Sequence, residues 1–219
     1  MSEQIAAYCL KYADTTLPKC KIFSDCTEET PQPITFSVYL IVTKDKMIMI
    51  DAGCDNMPRF VMKKFYSPAF VLRQLGWSPD EITDVVITHA HHDHIEAVRH
   101  FENAVIHITE EAYERGKLFI PEGMNVHLVG EEYVLADGIK MIKWCGHAAG
   151  SAIVEVAEGD RIHIFAGDEC YTSACLERKI ATGNSVDPKK SQDFVDIFSS
   201  EPYAVHTCHD WDLKTERLF

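Results

Sequence analysis

Thr88-His89-Ala90-His91-His92-Asp93-His94 decides how the rest of the chain is read. It follows Asp84-Val85-Val86-Ile87, a short apolar run with the character of a buried strand. A strand end holds side chains still while the loop beyond it turns them toward a common point. Imidazole offers neutral nitrogen and carboxylate offers anionic oxygen, a donor set that suits zinc, iron or manganese. One histidine there would mean little, since most are surface or satisfied core residues. Four histidines and an aspartate between His89 and His94 are hard to explain by packing, and a solvated His-rich loop is the weaker account.

Three later residues occupy the same kind of place, just past an apolar run. His147 follows Ile142 to Gly146, Asp168 follows Ile162 to Gly167, and His209 follows Ala204 to Cys208. Strands that each deliver one ligand to a common edge assemble a site from distant sequence. Glycine before His147 and before Asp168 permits a sharp backbone turn. Donor counting gives His89, His91 and His147 to one cation and Asp93, His94 and His209 to another. Asp168 has two oxygens and can bridge them. Alone, His147 or Asp168 reads as a turn residue; beside the first cluster that reading weakens. His206 competes with His209, which is preferred because it lies at the strand end. His92 points elsewhere or lines the pocket, and His100, His107, His127 and His163 read as structural or surface residues.

The 219 residues suffice for one large domain, 1–219, with a substantial core. A hydrophobic fraction of 46% and a charged fraction of 25% are ordinary for a soluble globular protein. The net charge of −13 leaves no basic stripe for a nucleic-acid backbone, so no nucleic-acid partner is expected. Met1 to Tyr12 has no signal-segment character and no long apolar run occurs, so neither secretion nor a membrane partner is expected. The eight cysteines form no C-x-x-C pair, which argues against a separate structural zinc site. Reduced thiols in a cytoplasmic protein fit them better than disulfides.

Along the chain, residues 1–30 suggest an opening strand and a loop. Pro31 and Pro33 punctuate the entry to Ile34–Val42, which pairs with Met47–Ile50 as a hairpin around Lys44-Asp45-Lys46. Asp51 closes that hairpin, either as an ordinary turn residue or as a carboxylate supporting a metal ligand. Pro58–Gly76 carries helical spacing, broken near Ser67-Pro68, with Gly76 placed as a cap. Further helices are expected at Ile95–Phe101, Thr109–Arg115 and Lys189–Phe198, with a turn or short helix at Ser78–Glu81 and a loop over Leu118–Asn125. Strands are expected at Ala104–Ile108, Val126–Val129, Glu132–Leu135, Ile139–Trp144, Ala152–Val156, Arg161–Phe165 and Tyr203–His206.

With these residues placed, the chain resembles the metallo-β-lactamase superfamily. The resemblance rests on H-x-H-x-D-H at His89–His94, Gly146-His147 near Gly150-Ser151, Gly167-Asp168, and His209, and it covers essentially the whole chain. It implies an α+β fold, an αββα sandwich of two mixed sheets flanked by helices with metals at one edge. It implies two divalent metal ions, zinc ahead of iron or manganese, and a homodimer as the form many relatives take. Asp168 stands where many true β-lactamases carry cysteine, which disfavours antibiotic hydrolysis. His91 stands where flavodiiron oxidoreductases carry glutamate. The chain ends too soon after His209 for the glutathione-gripping domain of glyoxalase II enzymes.

Within the superfamily the chain is most similar to N-acyl-homoserine lactonases. Gly167-Asp168-Glu169-Cys170-Tyr171-Thr172 looks like their segment with a tyrosine three residues after the bridging aspartate; Val186-Asp187-Pro188 and His209-Asp210 look like their C-terminal stretch. The chain departs at Ile95-Glu96-Ala97-Val98, at Cys145, Ala148 and Ala149, and in the short segment between Asp51 and Phe60. These departures leave the metal motif intact and bear on the acyl pocket and the substrate. The resemblance implies that hydroxide held between two metals attacks the carbonyl of a small-molecule lactone or related ester. Tyr171 would then act on the oxyanion and Asp93 or Asp168 would move a proton, although Tyr171 also reads as an aromatic core residue. The rival readings are a thioesterase or glyoxalase II-like hydrolase, an iron-dependent sulfur dioxygenase-like oxidoreductase, and a sensing module without catalysis.

Overall fold

The computed structural model describes residues 5–58 and 60–219. The expectation that no signal segment opens the chain falls partly on residues 1–4, and the helix expected from Pro58 spans residue 59; these residues lie outside the described ones. Among the described residues twelve strands form two sheets. The first contains β1 (Ala6–Pro18), β2 (Pro31–Val42), β3 (Met47–Ile50), β4 (Asp84–Val86), β5 (Val105–Thr109), β6 (Asn125–Val129) and β12 (Glu216–Arg217), in the order β12-β1-β2-β3-β4-β5-β6. The second contains β7 (Glu132–Ala136), β8 (Ile139–Lys143), β9 (Ala152–Glu158), β10 (Arg161–Phe165) and β11 (Tyr203–His206), in the order β11-β10-β9-β8-β7. Both are mixed: β3 to β6 run parallel, as do β10 and β11, and the remaining pairs are antiparallel.

Alternation along the strands explains the layers. Ile48 and Ile50 of β3 and Val86 of β4 join Met141, Val154, Val156 and Phe165 of the second sheet in one buried cluster. Their neighbours Met49, Val85, Ile153 and Ile164 point the other way, into a second cluster with helix residues. A period of two therefore buries both faces of both sheets, which is the αββα sandwich. Fully burying an aliphatic side chain such as Ile48 contributes about 1.5–3 kcal/mol.

The helices are α1 (Lys19–Ile22), α2 (Pro68–Gln74), α3 (His92–Ile95), α4 (Glu110–Gly116), α5 (Ser173–Arg178) and α6 (Pro188–Phe198). Leu72 of α2 and Ala112 of α4 lie in the helix-facing cluster, together with Phe194 and Phe198 of α6. None of the described helices is long and apolar enough to cross a membrane. All eight cysteines are free.

Several elements differ from expectation. The helix expected from Pro58 begins only at Pro68, where the Ser67 hydroxyl caps Phe70 N and proline takes the first turn. Before it, Lys63 pairs its backbone with Asp14 and holds the chain extended along β1. Helical structure after the histidine motif starts at His92, not Ile95, and passes into a 3-10 turn over Glu96–His100. Pro31 and Pro33 lie inside β2, and the expected loop at Leu118 opens with a 3-10 turn over Lys117–Phe119. Helices α1 and α5 and strand β12 were absent from the sequence reading.

The topology gathers strand ends. In the first sheet β3 and β4 are parallel, so Asp51 and the histidine motif leave at one edge. In the second sheet β8 and β10 share a direction because both are antiparallel to β9, and β11 is parallel to β10. The residues after β8, β10 and β11 are those leading to His147, Asp168 and His209.

Candidate metal centre

These strand ends bring two donor groups together. Among the described residues, ligand atoms of His89, His91, His147 and Asp168 lie within 4.8 Å of one another, as do those of His94, Asp168, Cys208 and His209. Asp168 belongs to both groups. Its Oδ2 lies 3.2 Å from His147 Nε2 and 3.5 Å from His89 Nε2, while its Oδ1 lies 3.1 Å from His209 Nε2 and 3.2 Å from His94 Nε2. One oxygen thus faces each group. Asp93 Oδ2 stands at the edge of the second group, 3.7 Å from His94 Nε2 and 3.8 Å from His209 Nε2.

The far ring nitrogens are tied down by the fold. His94 Nδ1 donates to Asp51 Oδ2 at 2.6 Å, His147 Nδ1 to the Asn184 carbonyl at 2.6 Å, and His209 Nδ1 to the Thr35 carbonyl at 2.8 Å. The Thr88 hydroxyl donates to Asp51 Oδ2 at 2.8 Å and accepts from His89 Nδ1 at 3.1 Å. In the neutral form each of these rings therefore turns its unprotonated Nε2 inward, the arrangement that makes imidazole a ligand. Asp51 adopts a left-handed φ of 63°, and its Oδ1 accepts from Thr88 N at 2.7 Å. Its carboxylate role fits this better than that of a plain turn residue.

The donor set fits a metal pair. His89 and His91 bring Nε2 and Nδ1 to 3.0 Å, and His147 Nε2 is 3.0 Å from the same His91 nitrogen. Three nitrogens facing one another at that distance call for a proton or a cation between them. His94 Nε2 is buried with no well-aligned hydrogen-bond partner among the described residues, Asp168 Oδ1 lying 3.2 Å away. Burial, assisted by neighbouring imidazoles, holds His89 well below the ordinary histidine value and moves His147 down to about 4, which keeps both neutral. For His94 and His209 burial acts downward too, but the surrounding carboxylates, Asp168 foremost, outweigh it and raise both.

Gly167 and Gly146 serve different ends. Gly167 takes a φ of 51°, and a Cβ there would meet Thr88 Oγ1 at 2.7 Å. At Gly146 the strained residue is its neighbour Cys145, with a φ of 67°, and the requirement at the glycine is space. A Cβ at Gly146 would strike the Glu169 carboxylate and reach Ser191 N at 2.9 Å. Buried Glu169 accepts from Gly146 N at 3.1 Å, from His147 N at 3.0 Å and from the Ser151 hydroxyl, and so fixes the loop carrying His147. Burial raises its carboxyl to about 7 against the pull of those donors.

A cavity of about 160 Å³ opens over the donors, with Ile34, Phe36, Met57 and Phe60 as an apolar wall and Tyr171 on its polar side. Burial, reinforced by Asp168, keeps the Tyr171 hydroxyl protonated well above its ordinary range. Asn184 Nδ2 donates to that hydroxyl at 3.2 Å. His206 lies elsewhere, stacked on His163 and Phe165. His92 binds the Asn56 carbonyl, His100 binds Asp55, and His107 bridges Asp84 and His127. Sequence reasoning missed Cys208, whose Sγ donates to Asp168 Oδ1 at 3.2 Å, together with Thr88, Glu169 and Asn184. The position of Cys208 beside His209 was the available signal; Asn184 offered none.

The N-acyl homoserine lactonase AiiB of Agrobacterium fabrum is 27% identical, over 69% of this chain and 72% of its own length. Similar folds include an N-acyl homoserine lactone hydrolase with N-hexanoyl-L-homoserine bound at its catalytic metal centre, with a TM-score of 0.82, 18% identity and coverage of 96% of this chain and 94% of that one. AidC, a dizinc quorum-quenching lactonase, superposes with a TM-score of 0.76 at 15% identity over 94% of this chain and 87% of its own. Residues 36–209 match the family description of the metallo-beta-lactamase superfamily, and the chain belongs to that superfamily.

Proposed function

We propose that the protein is a dinuclear metal-dependent hydrolase that opens a lactone or related ester, working as one domain. The observation that carries this reading is Asp168, whose two oxygens face two separate nitrogen groups. His89, His91 and His147 would hold one cation, and His94, His209 and Asp93 the other, with Asp168 shared. Two divalent cations there would supply Lewis acidity toward a carbonyl and lower the pKa of water to about 7.

The chain's own residues do the rest. The wall of Phe36, Met57 and Phe60 takes the apolar arm of the substrate and keeps bulk water from the reacting carbonyl. The Tyr171 hydroxyl accepts from Asn184, which leaves its own proton to donate to an oxygen that gains negative charge. Asp93, at the rim of the second group, takes the proton released by the attacking water on the oxygen not turned to that group and passes it to the leaving alkoxide. The reading takes zinc as the ion, which imidazole-rich donor sets suit, and a cytoplasmic location, where eight free cysteines stay reduced. It also takes a pair of identical chains as the working form. The likeness to AiiB, named for N-acyl homoserine lactones, supports the substrate class.

The test is a hydrolysis panel of lactones, thioesters and phosphodiesters with the metal-loaded protein. Ring opening of lactones supports the reading; cleavage confined to phosphodiesters removes it.

A further inference from the structure

Arg115 ends α4 beside the candidate centre, and its placement is built. Gly116 next to it has no room for a side chain: a Cβ would meet Ile95 Cδ1 at 2.6 Å and Ala90 Cβ at 3.1 Å. The last turn of α4 therefore rests directly on the histidine loop. At the other end of the helix the Thr109 hydroxyl donates to the Gly150 carbonyl at 2.5 Å, in the loop that carries His147. Helix α4 is thus clamped against both loops that supply the histidines of the first donor group.

Exposed Arg115 lines a cavity of about 280 Å³ whose other walls include His91, His147, Asn184 and Ser185. His91 and Asn184 also line the smaller cavity, so the two spaces adjoin at these residues. One has an apolar wall and the other a cation.

That cation has no partner among the described residues. On a helix an arginine ordinarily pairs with a carboxylate one turn away, which here is Glu111. Glu111 Oε1 is instead 2.6 Å from Lys143 Nζ, and Glu114 Oε2 is 2.6 Å from Lys117 Nζ. Both acids are taken by lysines, and Arg115 faces the cavity unneutralised in a chain of net charge −13. A guanidinium offers parallel N–H donors that match the two oxygens of a carboxylate.

We propose that Arg115 binds a carboxylate on the substrate, carried by the arm that leaves the scissile carbonyl away from the apolar wall. The favoured substrate is then an anionic lactone or ester with one apolar arm. This rests on the hydrolase reading and narrows its substrate class.

The experiment uses metal-loaded protein and a lactone bearing a carboxymethyl arm, compared with its methyl ester. The wild type should favour the free acid in kcat/KM by about tenfold, and added salt should narrow that ratio. Arg115→Gln, with metal content and circular dichroism as controls, should bring the ratio close to one, and Arg115→Lys should restore part of it. A preference that survives Arg115→Gln, or a wild type that does not discriminate, overturns the proposal while leaving lactone hydrolysis intact. If neither lactone is opened, the hydrolase reading fails, and calorimetric titration decides. Arg115→Gln must then weaken the ring-opened dicarboxylate and not its monomethyl ester; equal weakening, or none, overturns the assignment.

Discussion

The Asp51 carboxylate accepts a hydrogen bond from His94 Nδ1 at 2.6 Å, and this contact joins the end of β3 to a candidate ligand of the second donor group. The same carboxylate takes the Thr88 amide and hydroxyl, and Thr88 in turn accepts from His89. One aspartate therefore orients a ring in each group, and both rings present Nε2 to the interior.

Replacing it should loosen metal binding before it harms the fold. Asp51→Asn keeps the shape but presents N–H donors to a site that supplies only donors. Loss of such a supporting carboxylate costs about 10- to 100-fold in metal affinity. Competition against a chromophoric chelator reads this directly, and wild-type affinity in the variant would show that Asp51 is only a turn residue.

Tyr171→Phe removes one hydroxyl and preserves the aromatic contacts to His147 and His209. Turnover should fall by about 10²- to 10³-fold, with metal content unchanged. Steady-state kinetics beside elemental analysis separates the two effects. Unaltered turnover would return Tyr171 to a packing role.

Acid stability should depend on Asp84, which opens β4 at the end away from the histidine motif. Burial pushes its carboxyl up, but hydrogen bonds from His107, Thr83 and Lys46 outweigh that and bring it down to about 2. A depressed carboxylate binds fewer protons folded than unfolded, so its contribution is complete above the ordinary aspartate range and is lost as pH falls toward about 2. Denaturant titrations should find Asp84→Asn less stable than wild type near neutrality, with the gap closing in acid. A gap that does not vary with pH would refute this linkage.

What the sequence disclosed was what lies close together along it. The H-x-H-x-D-H run could be read because its candidate donors are adjacent, and the hairpin of β2 and β3 because a short polar turn separates two apolar runs. His209 was preferred over His206 from strand position alone, and the fold places His209 among the donors and His206 on the second sheet. What stayed hidden depends on distant contacts. His209 is held by Thr35 across a separation of 174 residues, and Tyr171 meets Asn184 only because the loop before α6 folds back. The helix expected from Pro58 failed for the same reason: its spacing is helical, but the backbone of Lys63 is claimed by Asp14.

Two cations that share Asp168 should be visible in the metal stoichiometry. Purified protein, loaded with zinc and dialysed, should hold about two ions per chain, and Asp168→Ala should lose at least one of them while remaining folded. A wild type that binds no more than one ion, or an Asp168→Ala variant that keeps both, would contradict the account.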